Sequence, residues 1–256
     1  MDSTKSGYVT TNTINGVAQI EFFHPAHNSL PSNLLRQLTD AIQVAGQNDA
    51  IKVVVLKSGG EKTFCAGASF DELVAINTFE TGKAFFMGFA DVINAIRQCP
   101  KFVVGRIHGK AVGGGVGIAA ACDYSMATLY ASIKLSEMAV GFGPFVIGPA
   151  VERKMGLSAF SHLSINATEW QTAKWAKEKG LFMEVFDTTE QLDEYLKVFT
   201  SRLAATNPEA MALLKKTFWH DTDHWNTLLN ERAAISGSLA LSDFTRQAIA
   251  AFKQKA

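Results

Sequence analysis

Between residues 17 and 135 the hydrophobic positions switch repeatedly between sheet-like and helix-like spacing. Val17 to Phe23 (VAQIEFF) is the first predicted strand, with Asn15-Gly16 as a turn in front of it. Leu34, Leu35, Leu38, Ala41, Ile42 and Ala45 then recur three and four apart and give a helix one apolar face. Pro31-Ser32 opens that helix, with Ser32 as its expected N-cap. Val53 to Leu56 is continuously apolar and mostly β-branched, the pattern of a strand covered on both faces. A Phe-rich helix over Thr81–Arg97 stops before Pro100, and strands follow at Lys101–Ile107, Tyr124–Thr128 and Ser132–Leu135. From about Pro149 the pattern turns helical, with helices expected at Thr168–Lys179, Thr189–Ala205, Pro208–Phe218 and within Asp223–Lys255. The change predicts an α/β core over residues 1–195 and a helical C-terminal region over residues 196–256, with no repeat of fixed length between them.

Composition narrows the class. The 24 basic and 24 acidic side chains cancel, so there is no surplus of positive charge with which to bind nucleic acid. With 47% hydrophobic and 19% charged residues the chain can bury a large core. Cys65, Cys99 and Cys122 form no CxxC pair and read as reduced, buried thiols. The start of the chain lacks a secretory pattern, and no run of apolar residues is long enough to span a bilayer. The expectation is a cytoplasmic protein that contacts neither nucleic acid nor membrane.

Two segments have the composition of donor loops. Phe64–Ser69 and Val112–Gly117 each follow a buried strand and place glycine and alanine where the backbone turns. Small residues leave peptide N–H groups uncovered, and at a helix start those groups lack intrahelical partners. Two of them aimed at one point form an oxyanion hole; tight turns chosen for packing are the alternative. Gly115-Val116-Gly117-Ile118-Ala119-Ala120 also matches the dinucleotide pattern G-x-G-x-x-A. It lies too far past its strand for that motif, and the next strand ends with no Asp or Glu for a ribose. Glu137 sits in the apolar stretch Leu135–Gly141, where desolvation would raise its pKa toward that of a general acid/base. Pairing with Lys134 or Arg153 is the competing reading.

Other candidates are structural. His220 and His224 stand four apart but lack a third ligand, and read as an exposed turn, so no metal site is expected. His108 reads as a hydrogen-bonded structural histidine. Phe85, Phe86 and Phe89 have helical spacing and read first as core, and could also line an acyl pocket. Cys65 has no histidine near it in sequence to activate it as a nucleophile.

His27–Leu30, Phe64–Phe70, His108–Gly115, Ala121-Cys122-Asp123, Ser136-Glu137 with Gly141 and Pro144, and the C-terminal Ser242–Phe244 and Ala251–Lys253 fall in a fixed order and spacing. Together they resemble the crotonase superfamily of enoyl-CoA hydratases and isomerases. The resemblance implies a spiral of ββα units with a helical C-terminal trimerisation region, assembled as a homotrimer or a dimer of trimers. It implies an acyl-CoA thioester as ligand, coenzyme A being part of the substrate, with no separate cofactor and no metal. Ala68 and Gly114 would be the oxyanion donors. Ala66, Gly67, Ala68, Ser69, Phe70 and Asp71 would follow the pantetheine and adenine, and Gly114 and Gly117 would also bind substrate. Phe252, Lys253 and Lys255 would approach CoA from a neighbouring subunit.

The chain departs from the family where two glutamates are usual. Glu137 falls on the second, whereas the first falls on Gly117; Ser69 stands where Asp is common. These departures resemble a branch that hydrates branched or carboxylated enoyl-CoA substrates such as methylglutaconyl-CoA, in fatty-acid or branched-chain amino-acid breakdown. The expected activity is hydration of a 2-enoyl-CoA, with Glu137 as acid/base. The alternatives are a Δ3,Δ2-enoyl-CoA isomerase that uses Glu137 as its single base, and a non-catalytic acyl-CoA-binding subunit.

Overall fold

The computed structural model describes residues 7–253, with side chains through residue 251. Strands β1 (Tyr8–Ile14) and β2 (Val17–Phe23) form an antiparallel hairpin. Its turn is the expected Asn15-Gly16, with φ of 49° and 78°, the doubly positive pair a tight hairpin needs. Then come α1 (Ser32–Gln47), β3 (Val53–Ser58), β4 (Thr63–Cys65), α2 (Phe70–Ala75) and α3 (Phe79–Gln98). The next turn of the spiral is β5 (Phe102–Ile107), β6 (Lys110–Val112) and α4 (Gly114–Ala121). A further turn contains β7 (Tyr124–Thr128), β8 (Ser132–Lys134), a 3-10 turn (Glu137–Val140) and α5 (Gly148–Ile165). Seven elements follow: β9 (Gln171–Thr172), α6 (Ala173–Glu178), β10 (Glu184–Phe186), α7 (Thr189–Ala204), α8 (Pro208–Phe218), α9 (Trp225–Ala240) and α10 (Asp243–Lys253).

From β3 onward successive strands alternate between two sheets up to β8. The larger sheet has the order β1-β2-β3-β5-β7-β10 and the smaller β4-β6-β8-β9; only β1 and β9 run antiparallel to their neighbours. The apolar run in β3 follows from coverage on both faces. Val54 and Leu56 pack into the main core with Leu34, Leu38 and Ile93, whereas Val53 and Val55 pack with Leu192 and Leu196 of α7. Alternation is lost because neither face meets water.

The C-terminal helices are bound to this core through backbone contact and buried charge. α7 runs through position 195, where the sequence suggests a division. α9 lies along α3, where Gly82 and Gly237 meet main chain to main chain: a Cβ on Gly237 would stand 2.6 Å from the Lys83 nitrogen. α8 brings Lys215 Nζ to 2.8 Å from Asp123 Oδ2, both side chains buried. The remaining ammonium bonds go to the carbonyls of Ile96 and Lys101, both at 2.8 Å. The Asp123 carboxylate also accepts from Val103 N at 2.7 Å and from Trp219 Nε1 at 2.8 Å.

Some predicted boundaries move. Ser32 is not the cap of α1: Pro31 takes that position, and Ser32 donates from N and Oγ to the Glu72 carboxylate. The expected helix over Thr168–Lys179 shrinks to α6, because Gln171 and Thr172 pair with β8. The expected C-terminal helix breaks at Leu241-Ser242 into α9 and α10. Phe252 and Lys253 fall in α10 with their side chains outside the described part, and Lys255 lies outside the described residues.

Replacing Asp123 by Ala strands the buried Lys215 ammonium. The expected loss of unfolding free energy in urea is about 3–5 kcal/mol. Lys177→Ala, which breaks the exposed Lys177–Glu184 pair, is expected to cost less than about 1 kcal/mol.

Candidate active site

The two glycine-rich segments meet at one point. After β4 the chain turns at Gly67, whose φ is 92°. Leu30 N donates to Gly67 O at 2.8 Å and Ser69 N to Leu30 O at 3.1 Å. This clamp fixes the loop and leaves the Ala68 N–H between the two bonds with no partner among the described residues. Ser69 then caps α2, its Oγ accepting from Glu72 N, while Phe70 and Asp71 form the first turn of that helix. After β6 the chain turns at Gly113, φ 53°, whose N–H goes to Lys134 O at 2.9 Å. Gly114 is the first residue of α4, so its N–H has no intrahelical acceptor. A Cβ on Gly67 would lie 3.7 Å from the Gly114 nitrogen, which places the two loops side by side. Two free N–H groups on neighbouring turns can together receive an anionic oxygen.

Close approach explains the glycines of α4. A Cβ on Gly114 would strike the Phe89 ring, and one on Gly115 would stand 2.5 Å from Cys65 O. One on Gly117 would stand 2.5 Å from Ile147 Cγ2. The Gly115–Ala120 pattern therefore lies inside a buried helix, beyond the turn at Gly113, and its glycines are packing residues.

Glu137 opens the 3-10 turn beside these loops. Gly141, φ 96°, ends that turn, and Thr245 of α10 holds it by donating from Oγ1 to Gly141 O at 2.9 Å. The carboxylate leans over Gly113, where a Cβ would meet Oε1 at 2.9 Å. Oε2 is buried with no hydrogen-bond partner among the described residues. The expected competitors are engaged elsewhere: Lys134 Nζ is 4.6 Å from the centre of the Trp170 ring, and Arg153 lies over Trp219. Burial raises the Glu137 pKa from its ordinary 4.5 to about 7, and a hydrogen bond from its own backbone opposes this only in part.

The apolar wall beside Ala68 is aromatic. Phe86 stands edge-on to Phe85 and to Phe142, each at 5.1 Å between ring centres. These rings pack with Leu73, Ile76 and Ile249, and Ala68 and Phe70 lie against the same cluster. Phe85, Phe86 and Phe89 thus serve as core and face the donor loops at once.

His108 departs from expectation. Its ring is buried and neither nitrogen has a hydrogen-bond partner among the described residues; burial, with Arg106 adding to it, lowers its pKa to about 4. His220 and His224 lie in an exposed turn before α9. The three cysteines are buried, and burial pushes the Cys65 and Cys122 thiols up to about 12, far from a reactive thiolate. Ile147, Phe142 and Thr245 are site residues that the sequence reading missed. Phe142 belongs to a glycine–proline bend that could have drawn attention, whereas nothing in the spacing links Ile147 to Gly117 or Thr245 to Gly141.

The chain belongs to the enoyl-CoA hydratase/isomerase family, whose model matches residues 12–255. It is 28% identical over 229 residues to the enoyl-CoA hydratase ACTT6 of Alternaria alternata, covering 88% of this chain and 74% of that protein. It is 28% identical over 234 residues to the human mitochondrial methylglutaconyl-CoA hydratase, covering 89% and 68%. It is 25% identical over 264 residues to a peroxisomal Δ(3,5)-Δ(2,4)-dienoyl-CoA isomerase of Arabidopsis thaliana, covering 96% and 93%. Among solved structures, an enoyl-CoA hydratase from Bacillus halodurans superposes with a TM-score of 0.89 at 21% identity, covering 95% of this chain and 99% of that one. One from Mycobacterium avium gives 0.84 at 25% identity, covering 100% and 98%. The spiral of ββα units is the crotonase-type α/β fold shared with these neighbours. Among the described residues no helix is long and apolar enough to cross a membrane.

The buried carboxyl has a consequence for stability. Its folded pKa of about 7 exceeds its ordinary 4.5, so the unfolded chain loses this proton first as pH rises. Stability contributed by the site is full below the ordinary value, falls through that interval and is lost above it. Glu137→Gln removes the effect. The variant should match the wild type in urea melts near pH 4 and exceed it by up to about 3 kcal/mol at pH 8.

Proposed function

We propose that the protein acts on enoyl-CoA thioesters through an enolate, with Glu137 as its general acid/base and the N–H groups of Ala68 and Gly114 as oxyanion donors. The observation that carries this reading is the buried, unpartnered Glu137 Oε2 beside two free N–H groups on converging turns. Charge develops on the thioester oxygen when a C2 proton leaves, and fixed donors there lower the barrier most. A carboxyl with a pKa near 7 takes and returns that proton at neutral pH at little cost. Residues 66–71 would carry the pantetheine and adenine along the capped start of α2. The acyl-CoA is the whole ligand in this proposal, with no further cofactor. Assembly as a trimer or a dimer of trimers in the cytoplasm belongs to the same proposal.

Of the two family reactions, the geometry favours the proton shift that converts a 3-enoyl into a 2-enoyl thioester. One base suffices, because Glu137 removes the C2 proton and returns it to C4. At Gly117, where a second carboxylate would stand, there is the Ile147 side chain. Hydration of a 2-enoyl-CoA is the second reading, supported by relatives named as hydratases at 28% identity. There Glu137 would activate water for attack at C3 and then protonate C2.

Incubation with 3-hexenoyl-CoA and with crotonyl-CoA separates the two. Formation of conjugated thioester absorbance from the first is the expected result, and its loss from the second identifies a hydratase. Glu137→Gln should lower kcat on the active substrate by about 10²–10⁴ while the protein stays folded. In the wild type, kcat/KM should rise with pH through about 7 as the carboxyl ionises. Unchanged turnover in Glu137→Gln removes Glu137 from the mechanism.

A further inference from the structure

Glu137 and Ile147 lie against the same helix. The carboxylate is over Gly113, the cap of α4, and the Ile147 side chain is over Gly117, with Cγ2 and Cβ at 2.5 and 2.7 Å from where a Cβ would be. Gly113, with φ 53° and ψ −116°, is the non-helical cap of α4 and precedes Gly117 by about one turn's length of chain. Phe89 covers the Gly114 position on the same helix, and both Phe89 and Ile147 are almost wholly buried. Phe89 and Ile147 thus cover with hydrocarbon two positions three apart on α4, Gly114 and Gly117. A water molecule held for attack needs two or more polar partners, and next to Gly117 this surface supplies apolar ones.

We propose that Ile147 is the residue that decides between proton shift and water addition: seated on Gly117 one turn from Glu137, it keeps water from the β-carbon. This rests on the enolate reading above. In the proton shift, Glu137 removes H⁺ from C2 of a 3-enoyl thioester and the electron pair moves to the thioester oxygen. The same proton then bonds to C4 as the 2,3 double bond forms, and nothing is added. In water addition the oxygen of water bonds to C3, its proton passes to Glu137, and C2 is protonated. Ile147 touches neither transferred proton; its volume selects the outcome. The glycine at 117 and the isoleucine at 147 form a complementary pair in which the bulk is on the loop and the helix has none.

The test compares wild type, Ile147→Ala and Ile147→Val as full-length protein. With 3-hexenoyl-CoA, NMR of the products gives the ratio of 3-hydroxyhexanoyl-CoA to 2-hexenoyl-CoA. Exchange of the C2 hydrogen in D₂O is followed in parallel. Ile147→Ala should raise the hydroxy-to-enoyl ratio by about tenfold or more, the effect of a modest change in relative barriers. C2 exchange should stay near the wild-type rate. Ile147→Val, which keeps most of the volume and the fold, should move the ratio the same way by less. C2 exchange intact with an unchanged ratio in both variants overturns the role of Ile147 alone. A wild type that adds water as fast as it shifts the proton overturns it too, and leaves the enolate reading standing. Absence of both exchange and isomerisation in wild type overturns the enolate reading and this proposal with it.

Discussion

The carboxylate of Asp123 is the point at which three separate parts of the chain are held in register. It follows α4 closely, accepts the Val103 N–H of β5 and the Trp219 indole N–H, and pairs with Lys215 from α8. Lys154 of α5 adds bonds to the carbonyls of Cys122 and Asp123. A buried ion pair of this kind contributes little net stability on its own, because desolvating both charges offsets their attraction. Its value is positional. Every hydrogen-bonding group around it is directed at one geometry, so helices from the last third of the chain have one place to dock. The far end of the glycine helix is thereby fixed, and with it the direction in which the Gly114 N–H points.

Glu137 shows the opposite use of burial. Asp123 is satisfied by three donors and stays bound in place, whereas Glu137 is desolvated and left one oxygen short of a partner. The fold tolerates this cost because the 3-10 turn is held firmly at its C-terminal end, by the Gly141 conformation and by Thr245 from α10. A carboxyl free to swing would find water or Lys134; one anchored by its backbone cannot. α10 thus reaches the candidate site through the main chain of the turn that carries Glu137.

Much of this was readable before any coordinates. The buried strands β2, β3, β5 and β7 announce themselves as dense apolar runs, and the two donor loops by their small residues after strands. Glu137 was conspicuous as a charge in an apolar stretch. The short strands β4, β6, β9 and β10 escaped because two or three residues carry no period, and they exist by pairing across the spiral. β1 escaped because five of its seven residues are exposed and alternate nothing. Ser32 looked like a helix cap and is instead a donor to Glu72, a residue distant in sequence. The Gly117–Ile147 contact and the unsatisfied His108 ring depend wholly on tertiary packing, which local spacing does not encode.

The glycines of α4 also bear on how the molecule is built. Three of its eight residues, Gly114, Gly115 and Gly117, are glycine, each about 1 kcal/mol poorer than alanine in a helix. So short a segment has no helical tendency of its own to overcome the cost of nucleation. Its helical form rests on Cys65, Phe89 and Ile147, which close around it from β4, α3 and the loop before α5. The direction of the Gly114 N–H is therefore owed to tertiary packing and not to any helical preference of the segment that carries it.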